Sequence, residues 1–144
     1  MQVSGLLAGK GSDVVTVAPD TPVGSVAAQL AQHRIGAVVV SGDGSAIDGI
    51  VSERDIVRAV SLGGAKALDK PIKDYMTASV RTCAPRDTEA ELMSLMTEHR
   101  VRHLPVVEGG KLGGMISIGD VVKHRIEEIE REAEEMKSYI ASSG

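Results

Sequence analysis

Phenylalanine and tryptophan are absent from this sequence, and tyrosine occurs only twice. A core must therefore be built from Val, Ile, Leu, Ala and Met, and stacking platforms for single-stranded nucleic acid, which need aromatic faces, are nearly excluded. Basic residues form no block of five or six, and the net charge is −4. No phosphate-backbone footprint is visible, so direct nucleic-acid binding is not expected. Cysteine occurs once, at Cys83, which leaves no intrachain disulfide; no charged-then-apolar leader precedes the first structured segment. A reducing cytoplasm is the expected compartment. No apolar run reaches bilayer length, and no membrane partner is expected.

What is present is a repetition. The stretch Gly49-Ile50-Val51-Ser52-Glu53-Arg54-Asp55 returns 65 positions later as Gly114-Met115-Ile116-Ser117-Ile118-Gly119-Asp120. Each is a short apolar run followed by Ser-x-x-Asp and an apolar helical continuation. Earlier landmarks, Ala18-Pro19 against Ala84-Pro85 and His33-Arg34 against His99-Arg100, are 66 apart, so one residue is lost in a hairpin turn. An internal duplication follows. At 144 residues the chain fits one compact domain or two small repeats that share a core.

Hydrophobic spacing assigns the elements. Val3, Leu6 and Leu7 predict a short helix that opens repeat one, and Val14 to Val17 a β-branched strand. Asp20-Thr21-Pro22 starts a helix, with proline in its first turn, that buries Val23, Val26, Ala27 and Leu30. Ile35 to Val40 reads as a strand covered on both faces, and Ile47 to Val51 as its hairpin return. The second half repeats the order: strand Val80 to Cys83, a helix carrying Leu92, Leu95 and Met96, strand Leu104 to Val107 and return strand Leu112 to Ile116. The segment Pro71 to Thr77 predicts a short helix that opens repeat two. After Asp120 a long helix carries a thin apolar stripe, Ile126, Ile129, Ala133, Met136 and Ile140, which suits a partner subunit.

The chemistry sits where strand turns into helix. A serine, an acid three residues later and free backbone amides suit a ribose and a phosphate. A carboxylate accepts from both hydroxyls of a vicinal diol, and a guanidinium fork matches phosphate oxygens. Ser52-x-x-Asp55 and Ser117-x-x-Asp120 are equally helix-capping signatures, and both roles are compatible. His99 and His103 have the four-residue spacing of a metal pair, but Pro105 and the strand after His103 break the helix that such a pair needs. Cys83 has no activating partner nearby and reads as a buried strand residue. No residue constellation for catalysis is present.

With His99-Arg100-Val101-Arg102-His103-Leu104-Pro105-Val106-Val107 and the repeated Ser-x-x-Asp stretch, the chain resembles a tandem pair of CBS domains, the Bateman module named after cystathionine β-synthase. The resemblance covers nearly the whole chain. It implies an α/β (α+β) fold: two β-α-β-β-α repeats, residues 1–68 and 69–144, packed through their sheets with pseudo-two-fold symmetry, plus a long C-terminal helix. It also implies a homodimer that binds an adenosine-containing ligand (AMP, ADP, ATP, NAD or S-adenosylmethionine) and signals to a regulated protein.

Carried over by residue, the resemblance implies two clefts. One would use Asp120 on the ribose, with Ser117 and Gly119 nearby, Arg102 and His103 on phosphate, and Gly36, Ala37 and the strand at Val15 around the base. The other would use Asp55, Ser52 and Arg54 with Thr77, Arg81, Val101 and Arg102. Lys10 and Met115 complete the expected ligand-binding set. Arg102 stands where repeat one has Gly36, and Gly119 where it has Arg54, so the clefts should differ; the Asp120 cleft is expected to suit anionic ligands better. The alternative is a structural or interaction module with vestigial clefts and an assembly role for the C-terminal helix.

Overall fold

The computed structural model describes residues 1–143. The first half consists of α1 (Val3–Lys10), β1 (Thr16–Val17), α2 (Val23–His33), β2 (Ala37–Val40), β3 (Gly49–Ser52) and α3 (Glu53–Gly63). Two 3-10 turns, Gly64–Asp69 and Ile72–Asp74, lead into α4 (Glu89–His99), β4 (His103–Glu108), β5 (Lys111–Ser117) and α5 (Ile118–Ser143). The fold is the mixed α/β class expected, with the long C-terminal helix in place. Among the described residues no helix is long and apolar enough to cross a membrane.

In the first sheet β1 pairs parallel with β2, and β2 pairs antiparallel with β3, placing Ala37 opposite Ser52. All four residues of β2 are buried, as its unbroken apolar sequence requires. The second sheet keeps the antiparallel pair β4 and β5, with His103 opposite Ser117. These registers set a β2 or β4 start beside each strand-to-helix junction.

The strand expected at Val80 to Cys83 shrinks to one parallel bridge, Cys83 with Val106. Proline explains the loss. In repeat one Val39 N–H donates to Val15 O at 3.3 Å. The matching positions are Pro105 and Arg81, and Pro105 has no amide to donate. Only Cys83 keeps its two bonds, to Pro105 O at 3.0 Å and from Val107 N–H at 2.8 Å.

A second difference concerns the opening segments, which are exchanged between the cores. The first core cluster (Val17, Val23, Val26, Leu30, Val38, Val40, Val51 and Ala59) takes in Ala67 and Ile72, with Tyr75 and Met76 against it. The second (Leu92, Met96, Leu104, Val106, Ile116 and Val121) takes in Val3 and Leu6 from α1. Thus α1, expected to open repeat one, covers repeat two, and the Pro71 to Thr77 segment covers repeat one. Backbone bonds follow suit: Val3 N–H donates to Asp87 O at 2.8 Å, and Ile72 N–H to Thr21 O at 2.8 Å.

Glycine makes both crossings possible. A Cβ on Gly49 would meet Met76 Sδ at 2.5 Å, and one on Gly114 would meet Leu7 Cδ2 at 2.7 Å. The glycine that begins each repeated stretch is therefore where the other half's opening segment presses on the strand. Residues 1–68 and 69–144 remain our proposed division by chain order, laced together by these exchanges.

Candidate functional site

Each strand-to-helix junction is built by the same local hydrogen bonds. Asp55 Oδ2 accepts from Ser52 N–H at 2.9 Å and from Ser52 Oγ at 3.2 Å. Asp120 Oδ2 accepts from Ser117 N–H at 2.8 Å and Ser117 Oγ at 3.0 Å, and Asp120 N–H donates back to Ser117 Oγ at 3.2 Å. The acids therefore do cap α3 and α5, which fixes each carboxylate at a positive helix end.

The remaining bonds separate the two acids. Asp55, only 9% exposed, takes Arg58 Nη2 on Oδ1 at 3.2 Å, and that guanidinium also donates to Tyr75 O at 3.3 Å. At the matching place repeat two has Lys123, which is not in that role. Instead Lys10 reaches over from α1: its Nζ donates to Asp120 Oδ2 at 2.5 Å and to Met115 O at 2.7 Å. Burial pushes the Asp120 carboxyl up, but the Lys10 ammonium and the Ser117 donors outweigh it and hold the group below the ordinary carboxylate value.

A cavity of about 500 Å³ opens between the repeats. It is lined by Gly36, Ala37, Ser52, Arg54 and Asp55 from the first half and by Thr77, Arg81, Val101, Arg102 and His103 from the second. All the residues expected around Asp55 thus lie on one wall system. Gly36, Ala37, Arg102 and His103, expected with Asp120, line it too. Lys10, Val15, Met115, Ser117, Gly119 and Asp120 do not. Val15 packs against the first core, and its carbonyl is used by Val39.

His103 marks the divide between the two places. It faces Gly36 so closely that a Cβ there would lie 3.1 Å from its Cε1. Burial first, then the Lys10 charge, push the imidazole pKa down, with Asp120 and Glu53 opposing. The ring is therefore held toward its neutral form, a hydrogen-bonding group more than a phosphate-binding cation.

Ile50, Glu53, Val57, Ser79, Val80 and Arg100 also line the cavity and were not singled out as ligand contacts by sequence. Arg100 ends α4 in the left-handed conformation common at helix ends, φ 53°, as Arg34 ends α2 with φ 54°, so backbone geometry does not distinguish it and spacing along the chain gave no signal for it. Arg54, Arg81, Arg100 and Arg102 together make the cavity strongly cationic around one buried acid. That arrangement can hold an anion and a diol at once.

The chain is similar to proteins of a known family. The CBS domain family matches residues 11–62 and 72–127. The chain is 34% identical over 125 residues to CBS domain-containing protein CBSX3, mitochondrial, of Arabidopsis thaliana, covering 84% of this chain and 61% of that protein. It therefore spans less than two thirds of that relative's length. A CBS-domain containing protein from Agrobacterium tumefaciens superposes with a TM-score of 0.84 at 49% identity, over 87% of this chain and 99% of its own. A CBS domain protein from Pyrobaculum aerophilum, solved in complex with AMP, superposes with a TM-score of 0.75 at 31% identity, over 83% and 89%.

Proposed function

The chain belongs to the CBS-domain family, and from that premise we propose that it is a non-enzymatic regulatory module taking an adenosine-containing ligand into the cavity between its repeats. The observation that carries the reading is the pairing, in one cavity, of Asp55 at a helix start with arginines from both repeats. Asp55 would accept from the ribose hydroxyls, sharing Oδ1 with Arg58. Arg54, Arg81, Arg100 and Arg102 would hold phosphate. The relative complexed with AMP supports this class of ligand. Four guanidinium groups favour AMP, ADP, ATP or NAD over S-adenosylmethionine, whose sulfonium adds positive charge.

Ligand occupancy would then be passed to a regulated protein, with this chain working as a homodimer. Support for the dimer comes from α5, where Val122, Ile126, Ile129 and Met136 stand largely exposed on a helix that extends past the second core. The cytoplasm is the compartment we propose, on the buried single thiol of Cys83. The exposed stripe equally supports a second reading, an assembly module whose cavity is vestigial.

Calorimetric titration of the full chain with AMP, ATP, NAD and S-adenosylmethionine separates the two. The sensor reading expects saturable binding of a phosphate-bearing ligand and a loss of about tenfold or more in Asp55→Asn, since a charge-assisted bond contributes roughly 1.5–3 kcal/mol. Unchanged affinity in Asp55→Asn sinks the ribose assignment. Heat-silent titrations with all four ligands, together with no thermal shift, leave the assembly module standing.

A further inference from the structure

Glu89 is the first residue of α4, and it is buried at 7% exposure, a rare place for a carboxylate. Its Oε2 lies 2.8 Å from His124 Nδ1 on α5, while its Oε1 is buried without a hydrogen-bond partner. A single hydrogen bond with His124 accounts for one oxygen and leaves the other desolvated for no return. Glu128 follows His124 by one helical turn and so shares its face of α5. One ligand atom from each of Glu89, His124 and Glu128 lies within 4.8 Å of the other two. Arg125 pairs with Glu128 Oε1, and the carboxylate has a second oxygen available to an ion.

We propose that Glu89, His124 and Glu128 bind one divalent transition-metal ion, with zinc the ion their chemistry fits best. An imidazole nitrogen with two carboxylate oxygens suits zinc and its neighbours in the first transition row, whereas magnesium and calcium take oxygen ligands alone. Two carboxylates and a neutral imidazole carry two negative charges, which a divalent ion balances. The ion replaces the contact between His124 and Glu89, binds through one Glu89 oxygen and offsets the charge of a buried carboxylate that has only one hydrogen-bonded oxygen. Three protein ligands leave a fourth position to water. The role is coordination only. Because Glu89 starts α4 and the other two ligands lie on α5, a bound ion ties the C-terminal helix to the second core. The site lies apart from the cavity that would take the adenosine ligand, so its success or failure is independent of that reading.

The test is titration of the chelator-stripped full chain with zinc chloride, followed by cobalt chloride as a spectroscopic probe. The expected result is one zinc per chain, a rise in unfolding temperature, and cobalt absorption bands showing nitrogen and oxygen ligation in a low-coordinate site. Glu89→Gln and His124→Gln should each weaken binding at least tenfold. Glu128→Gln, at a partly exposed position that folding tolerates, should also weaken it, and His99→Gln, outside the cluster, should not. Failure of the folded wild type to bind zinc stoichiometrically overturns the proposal, as does wild-type affinity in Glu128→Gln together with either of the other two variants. Equal binding of magnesium and zinc also overturns it.

Discussion

Lys10 Nζ lies 2.5 Å from Asp120 Oδ2 although the two residues are 110 positions apart in the chain. The contact fastens α1 to the start of α5, and it occupies the carboxylate that the repeated stretch led us to expect on a ribose. Its side chains are 35% and 26% exposed, so solvent screens the pair and limits its worth. Lys10→Met should cost about 0.5–1 kcal/mol at neutral pH. Asp120 is held below 3.8 in the fold. A depressed carboxylate contributes stability above its unfolded value and loses it as pH falls through the folded one. The gap between Lys10→Met and wild type in urea midpoint should therefore narrow below pH 3.8. A gap independent of pH would show that packing, not charge, holds Lys10.

Asp55 and Asp120 should part company in ligand binding. Asp120 lies outside the 500 Å³ cavity that Asp55 lines, so Asp120→Asn should leave AMP affinity within about threefold of wild type while Asp55→Asn loses tenfold or more. The opposite ranking in calorimetry would return the ribose to Asp120.

The two glycines that begin the repeated stretches should differ in tolerance of a side chain, Gly114 meeting only the movable end of Leu7 and Gly49 also a backbone oxygen. Gly114→Ala drives a methyl into Leu7 Cδ2 at 2.7 Å, and Gly49→Ala meets both Met76 Sδ at 2.5 Å and the Thr77 carbonyl oxygen at 3.0 Å. Overpacking of this kind costs about 1–3 kcal/mol. Gly49→Ala should be the worse, because a backbone oxygen cannot rotate away. Wild-type unfolding temperature in both variants would refute the exchanged packing.

Cys83 should be silent toward thiol reagents until the protein unfolds. Burial, aided by the Asp87 charge, pushes its pKa up to about 12 from 9.0. The thiolate is the reactive form, so labelling at pH 8 should track global unfolding. Between pH 9 and 12 the unfolded chain gives up a proton that the fold retains, so stability should fall with rising pH in that window. Fast labelling of the native protein would contradict the burial.

Features that depend on neighbours in the chain were legible without coordinates. Ser52 with Asp55 and Ser117 with Asp120 cap their helices because both partners of each bond lie within one turn. The helices over Val23 to His33 and Glu89 to His99 follow from apolar spacing, and β2 follows from an unbroken buried run. Features that need two distant segments were not. The strand lost at Val80 to Cys83 depends on which residue faces Pro105, and covalent order alone places α1 with the repeat it precedes.

The sequence by itself determined the duplication, the family and the two capped acids, since these are written in spacing and local hydrogen bonding. Tertiary structure alone decided how the parts combine. It set His103, expected with Asp120, on the cavity of Asp55, because the start of β4 faces the first repeat across Gly36. It sent Lys10 to Asp120, because α1 crosses to the second core, and it brought Glu89 against His124 across 35 positions. Each of these contacts joins residues whose proximity is created by burying apolar faces elsewhere. Spacing along the chain carries no record of that burial.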